Sequence, residues 1–237
     1  EGGKISVSSQ PKILAVNFSG GRIVFDKDTG GIVEYSCDGV DYLVSKPLRS
    51  DRFGSAVYTN IFRAPTDNDK YIAGSWYRKG YDALTPVKVS MSHAEKEDVV
   101  VVKVTSELTP PKGRALFLTE DSYAIYPNGS VKVRTRLVPL RKKLPDLPRV
   151  GKTIELKKEF DDIIYCGMGD MQNYPDFTAH ARLGVYRAKV KDFMSYNIKP
   201  QESGNRCDVR YAVIRNGEGA GLMILADTAP FNLNAKE

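Results

Sequence analysis

Ser122-Tyr123-Ala124-Ile125-Tyr126-Pro127-Asn128-Gly129-Ser130-Val131-Lys132-Val133-Arg134-Thr135-Arg136-Leu137 reads as two β-strands joined by a tight turn. Asn and Gly tolerate positive φ, so Pro127-Asn128-Gly129 closes a hairpin between 122–126 and 131–137. In the second arm valines alternate with Lys132 and Arg134, the period of a strand with one face in solvent. The same punctuation recurs at Asn216-Gly217, between 209–215 and 221–227. Upstream, Val87-Lys88-Val89-Ser90-Met91 alternates strictly, whereas Val99 to Val102 is a β-branched run suited to a strand buried on both sides. Only Ser75 to Tyr81 offers a short helical turn. Many short strands separated by such turns describe an all-β fold, an antiparallel sandwich.

A chain of 237 residues can hold such a sandwich around a single core, so residues 1–237 are read as one domain. The proline-rich Leu144-Pro145-Asp146-Leu147-Pro148 then becomes a crossover between two halves of the sandwich. No apolar run has membrane-spanning length, and Glu1-Gly2-Gly3-Lys4 reads as a cut or an expression scar. The formal net charge is +6. The positives are scattered, however; Arg134 and Arg136 lie on a strand's solvent face, and the Arg141-Lys142-Lys143 run suits a solvated loop. Neither nucleic acid nor a membrane is expected as a partner. Cys37, Cys166 and Cys207 are too few and too far apart for a disulfide framework or a zinc site. They read as free thiols in a reducing, cytoplasmic compartment, with a periplasmic home left open.

After the strand-like Ile61-Phe62 comes Arg63-Ala64-Pro65-Thr66-Asp67-Asn68-Asp69. A cation, a φ-fixing proline and two carboxylates around an amide make a rigid polar loop. Such a loop suits hydroxyl recognition, because Asp accepts, Arg donates and Asn does both. Asp67 and Asp69 could act as a catalytic pair, and Asp67, Asn68 and Asp69 could offer oxygens to Ca²⁺, Mg²⁺ or Na⁺. Carboxylates this close more often cap turns within their own loop. A sugar site also needs an aromatic ring for the apolar face of the sugar. Trp76 is the one tryptophan, and its alternative role is a core anchor; Tyr71, Tyr77 and Tyr174 share that ambiguity. Glu202, Asn205 and Arg206, in Pro200-Gln201-Glu202-Ser203-Gly204-Asn205-Arg206, form a second polar group, suited either to rim contacts or to tying down a turn.

The heptad RAPTDND resembles the signature of the C-terminal small-chain domain of bacterial β-galactosidases of glycoside hydrolase family 2. The likeness extends along the chain in the family's order: VNFSGGRIVFDKDTGGIVEYSCDGVDYLVSKPLR before the motif, then LPRVGKTIELKKEFDDIIYCGMGDMQNYPD, then KPQESGNRCDVRYAVIRNGEGAGLMILAD. The resemblance implies a large two-sheet supersandwich of the galactose mutarotase-like type. It also implies that the catalytic glutamates sit on a separate barrel domain, that this chain carries no catalytic residue, and that alone it is inactive. Arg63, Asp67, Asn68, Asp69, Trp76, Glu202, Asn205 and Arg206 are then expected to rim a galactoside site, with the 63–76 loop facing the barrel mouth. The intact enzyme would be a homo-oligomer of multidomain subunits, with Mg²⁺ or Na⁺ possible there and no cofactor in this chain.

Two departures stand out. The family's Gly-Gly-Asp-Asp-Ser element, followed by a tryptophan sent into the active site, does not occur before the chain stops at Phe231-Asn232-Leu233-Asn234-Ala235-Lys236-Glu237, so final strands are expected to be missing. Where the family carries Pro, Glu and Arg around its Gly-x-Gly stretch, this chain has Asp170, Gln172 and Phe177. Two other functions fit the same fold. A free-standing aldose-1-epimerase (mutarotase) would need a His and a carboxylate for proton transfer at the sugar ring, yet His93, in the polar turn Ser92-His93-Ala94-Glu95, suits a solvated surface position, and His180 has no acid beside it in sequence. A non-catalytic carbohydrate-binding domain needs neither.

Overall fold

The computed structural model describes residues 4–45 and 54–236. The Glu1-Gly2-Gly3 start and residues 46–49 of the opening family-like stretch lie outside the described residues. The chain divides into two compact units, 1–63 with 69–156 and 64–68 with 157–237.

In the first unit, β1 (Ser6–Ser9), β2 (Ile13–Phe18), β3 (Gly21–Asp26), β4 (Ile32–Cys37), β5 (Val40–Asp41) and β6 (Val57–Asn60) form an antiparallel meander. The Asp38-Gly39 turn joining β4 to β5 has φ of 49° and 79°, the double left-handed conformation that matches strand twist. Next come α1 (Ala73–Lys79) and the antiparallel sheet of β7 (Thr85–Lys96), β8 (Val99–Thr109), β9 (Phe117–Ile125) and β10 (Val131–Pro139). The chain then returns as β11 (Gly151–Ile154), which pairs with β6.

The hairpin expected at 122–137 is the β9–β10 pair. Gly129 alone takes the left-handed conformation, at φ 82°, while Asn128 accepts from the Ser130 amide instead. At 215–221 the positive φ falls on Gly219, not Gly217, and Asn216 Oδ1 accepts from the amides of Glu218 and Ala220. Val99–Val102 departs from the expectation of burial on both sides. Val100 and Val102 are fully buried, but Val99 and Val101 are only half so.

Residues of both first-unit sheets share one core: Leu14, Val16, Ile23 and Phe25 with Val100, Val102, Tyr123 and Ile125. The Phe25 and Tyr123 rings meet edge to face at 5.2 Å. Lys152 of β11 bridges the sheets, its Nζ 2.7 Å from Asp121 Oδ2 and 2.7 Å from Thr59 Oγ1. Burial pulls this ammonium's pKa down, and the Asp121 carboxylate opposes that shift.

The second unit is built on β12 (Asp162–Met168), β13 (Leu183–Lys189), β14 (Arg206–Val209), β15 (Tyr211–Arg215), β16 (Gly221–Leu225) and β17 (Phe231–Leu233). Four of these form an antiparallel sheet in the order β13-β12-β15-β16, while β14 pairs with β17. Its buried residues include Ile163, Tyr165, Phe193, Val209, Ala212 and Ile214. Paired antiparallel sheets with buried faces and little helix make this an all-β sandwich protein.

Candidate functional site

The loop after β6 divides between the two units. In the first, Arg63 donates to both oxygens of Asp69, at 2.6 and 3.3 Å, and its Nε donates to the Pro148 carbonyl at 3.1 Å. This bidentate pair is mostly shielded from solvent. The guanidinium also lies 5.7 Å from the centre of the Trp76 ring.

Trp76 is 2 % exposed and belongs to a core with Ile61, Tyr81, Leu84, Leu108, Leu116 and Phe117. Its Nε1 donates to the Asp146 carbonyl, and the Tyr81 hydroxyl donates to that of Pro145. Desolvation pushes the Tyr81 phenol up to about 12, so it stays a donor at neutral pH. With its ring closed to solvent, Trp76 supports the loop and the proline-rich segment, and offers no open face for a sugar. Tyr71 and Tyr77 are open.

In the second unit Asp67 and Asn68 are exposed. The Asp67 carboxylate pairs with Lys199 at 2.5 Å, while its own amide donates to Gln201 Oε1. Asn68 Nδ2 donates to Asp176 Oδ2 at 2.8 Å. Asp176 is held on a two-bond turn, in which the Tyr174 and Phe177 amides each donate to the other's carbonyl. The Phe177 ring is exposed and rests 4.5 Å from that of His180. Asp67 and Asp69 therefore each face a protein cation. Among the described residues no three His, Cys, Asp or Glu side chains converge as metal ligands.

Glu202, Asn205 and Arg206 are buried, so their side chains are not part of the exposed polar surface. Glu202 accepts from Asn234 at 2.9 Å and from Lys236 at 3.0 Å, and its amide donates to the Pro65 carbonyl. These side-chain ties of Glu202 run to the end of the described residues, while Arg206 holds the turn itself through the carbonyls of Gly204 and Asn205. Asn205 Nδ2 donates to the Asn173 carbonyl. Arg206, 2 % exposed, donates to the Tyr165 hydroxyl and to the carbonyls of Gly204, Asn205 and Asp170, with its guanidinium 4.3 Å from the Phe193 ring centre. Burial pushes the Tyr165 phenol up, against the pull of the Arg206 hydrogen bond.

Asp176, Lys199 and Gln201 complete the polar surface around Asp67 and Asn68, and sequence reasoning did not single them out. The Pro175-Asp176 pair was the available signal, because proline before aspartate favours a turn that presents the carboxylate. Nothing local marks Lys199, whose partner lies 132 positions away.

This surface holds carboxylates, an amide and an ammonium, groups that can accept from and donate to hydroxyls. Among the described residues no helix is long and apolar enough to cross a membrane. A family model described as the β-galactosidase small chain matches residues 18–237. A β-galactosidase of Priestia megaterium is 26% identical over 93% of this chain, and one of Lactobacillus delbrueckii subsp. bulgaricus is 32% identical over 90%. A β-galactosidase of the yeast Kluyveromyces lactis aligns with 98% of the chain at 28% identity. The chain spans about a fifth of the length of these relatives. A match that runs from β2 to the end of the second unit leaves one conclusion: the chain belongs to the β-galactosidase small chain family.

Proposed function

We propose that this chain is the small-chain domain of a β-galactosidase, which buttresses and rims a galactoside site whose acid and nucleophile lie on another domain. The observation that carries this reading is the exposed set of Asp67, Asn68, Asp176 and Lys199, brought together by the Asp67–Lys199 and Asn68–Asp176 pairs. Retaining glycosidases use two carboxyl groups about 5–5.5 Å apart, one of which must be available as a nucleophile. Here Asp67 and Asp69 are tied to Lys199 and Arg63, which suits a supporting part and not the cleavage step. Arg63 and Trp76 serve the first unit, by holding Asp69 and the proline-rich segment.

Kinetics on a chromogenic galactoside test the proposal. The isolated chain is expected to give no turnover. In the complete enzyme, Asp67→Ala and Asn68→Ala should each raise KM several-fold and leave kcat within about twofold, the signature of lost binding that is equal in ground and transition states. Unchanged KM in both variants would make the domain scaffold only. Turnover by the isolated chain that disappears in Asp67→Asn would assign it the chemistry itself.

A further inference from the structure

The polar surface of the second unit has an aromatic ring beside it in the chain. Phe177 ends the two-bond turn on which Asp176 is held, and the Asp176 carboxylate accepts from Asn68 at 2.8 Å. The Phe177 ring is 56% exposed and lies 4.5 Å from the His180 ring, at an interplanar angle of 43°. His180 is itself tied down, with Nε2 3.1 Å from the Gln172 carbonyl oxygen. The phenyl ring is thus propped by a fixed neighbour while more than half of it stays open. Exposed aromatic rings are ordinary on a protein surface. Tyr196, for example, is 93% exposed, and among the described residues nothing holds its ring or hydroxyl. Phe177 differs in being fixed through backbone and side chain together, so a ligand packing on it costs the protein little conformational entropy. The ring is also this chain's own feature, because the family pattern carries arginine where Phe177 stands.

The polar groups next to it are only partly used. Asn68 Nδ2 and Asp176 Oδ2 satisfy one another, but among the described residues nothing donates to Asp176 Oδ1 or Asn68 Oδ1. Both oxygens are open to hydroxyl donors of a ligand. A fixed apolar ring beside open acceptors matches a pyranose, whose axial C–H bonds make apolar faces and whose equatorial hydroxyls point outward around the edge. An all-equatorial pyranose such as glucose offers both faces to an aromatic ring, whereas the axial O4 of galactose obstructs one of its two. Position argues the same way. An enzyme that releases a terminal sugar takes that sugar into its pocket first, so a rim meets the leaving group.

We infer that Phe177 is the platform on which the leaving-group sugar of a disaccharide galactoside packs, with Asp176 and Asn68 accepting that sugar's equatorial hydroxyls. The inference rests on the reading of this surface as the rim of a galactoside site, and it makes that rim selective for leaving groups that are themselves pyranoses.

Steady-state kinetics of the complete enzyme test this on lactose and methyl β-D-galactopyranoside, which share the galactosyl half and differ in whether the leaving group is a ring. Phe177→Leu removes the aromatic ring and keeps an apolar side chain. It should raise KM for lactose about three- to tenfold with little change in kcat, and the rise should be confined to lactose. Phe177→Tyr, which keeps a ring, should restore the parental KM for lactose. An unchanged KM for lactose in Phe177→Leu overturns the inference. So does a rise shared equally by the two substrates, or an equal rise in Phe177→Leu and Phe177→Tyr. The rim reading fails separately. Raised KM in Asp67→Ala with none in Phe177→Leu keeps the rim and removes the platform, whereas a parent enzyme that hydrolyses neither substrate removes the β-galactosidase reading and the platform with it.

Discussion

Replacing Arg63 with alanine removes a two-pronged hold on Asp69 and a donor to the Pro148 carbonyl in one step. Taking a charged hydrogen-bond donor away from a mostly shielded carboxylate costs about 1–3 kcal/mol. Thermal or urea unfolding of Arg63→Ala should show that loss, and an unchanged midpoint would mean that the pair is idle. Trp76 divides into two contributions. Trp76→Ala should destabilise by about 3–5 kcal/mol through the lost ring, whereas Trp76→Phe keeps most of the packing and loses the donor to Asp146, for about 1–3 kcal/mol. Equal losses in the two variants would show that the hydrogen bond carries the whole effect. A stiff polar loop over residues 63–69 was legible in the sequence, but which of its two carboxylates would face Arg63 was not. Nor was the partner of Glu202. Lys236 lies 34 positions away, and only the pairing of β14 with β17 brings that part of the chain alongside.

Strands were readable wherever one side met water and a turn residue closed the run. The β9–β10 hairpin and the β15–β16 hairpin fall where alternation and Asn-Gly punctuation put them. Val99–Val102 misled because β-branched residues are favoured in any strand, and composition does not say whether the second face is covered. Asp162, at the start of β12, supplies an acid-sensitive element. Hydrogen bonds from Arg187, and then from Arg215, hold its carboxyl below the ordinary aspartate value in spite of burial. The folded pKa lies under the unfolded one, so the contribution is complete above about pH 4 and is lost as pH falls through the folded value. Asp162→Asn should therefore lower stability at neutral pH, by about 1–3 kcal/mol. The gap between variant and parent should close in melts taken at progressively lower acid pH. A gap that stays constant from neutral to acid pH would assign the loss to packing instead of charge.

At the scale of the molecule, the all-β sandwich followed from turn spacing and patterning, and the family from the order of three separate segments. The division into two compact units did not follow, because the boundary near residue 156 carries no flexible linker composition. The polar surface was half legible: Asp67 and Asn68 announce themselves, while the residues that steady them come from distant parts of the chain. The proline-rich segment has a further consequence. Pro145 and Pro148 have no amide hydrogens, so this stretch cannot fasten itself through its own donors at those positions. Its carbonyls are instead held by Tyr81, Trp76 and Arg63, and β11 just beyond it is paired to β6. Arg141, Lys142 and Lys143, immediately before it, are exposed. Trypsin should nick the chain there first, and the product should run as two fragments on a denaturing gel yet elute as one particle with native circular dichroism. Fragments that separate on elution would show that the grip of those three side chains is too weak. If they stay together, covalent continuity between Lys143 and Leu144 is dispensable, and the molecule can exist as two polypeptides that share one fold.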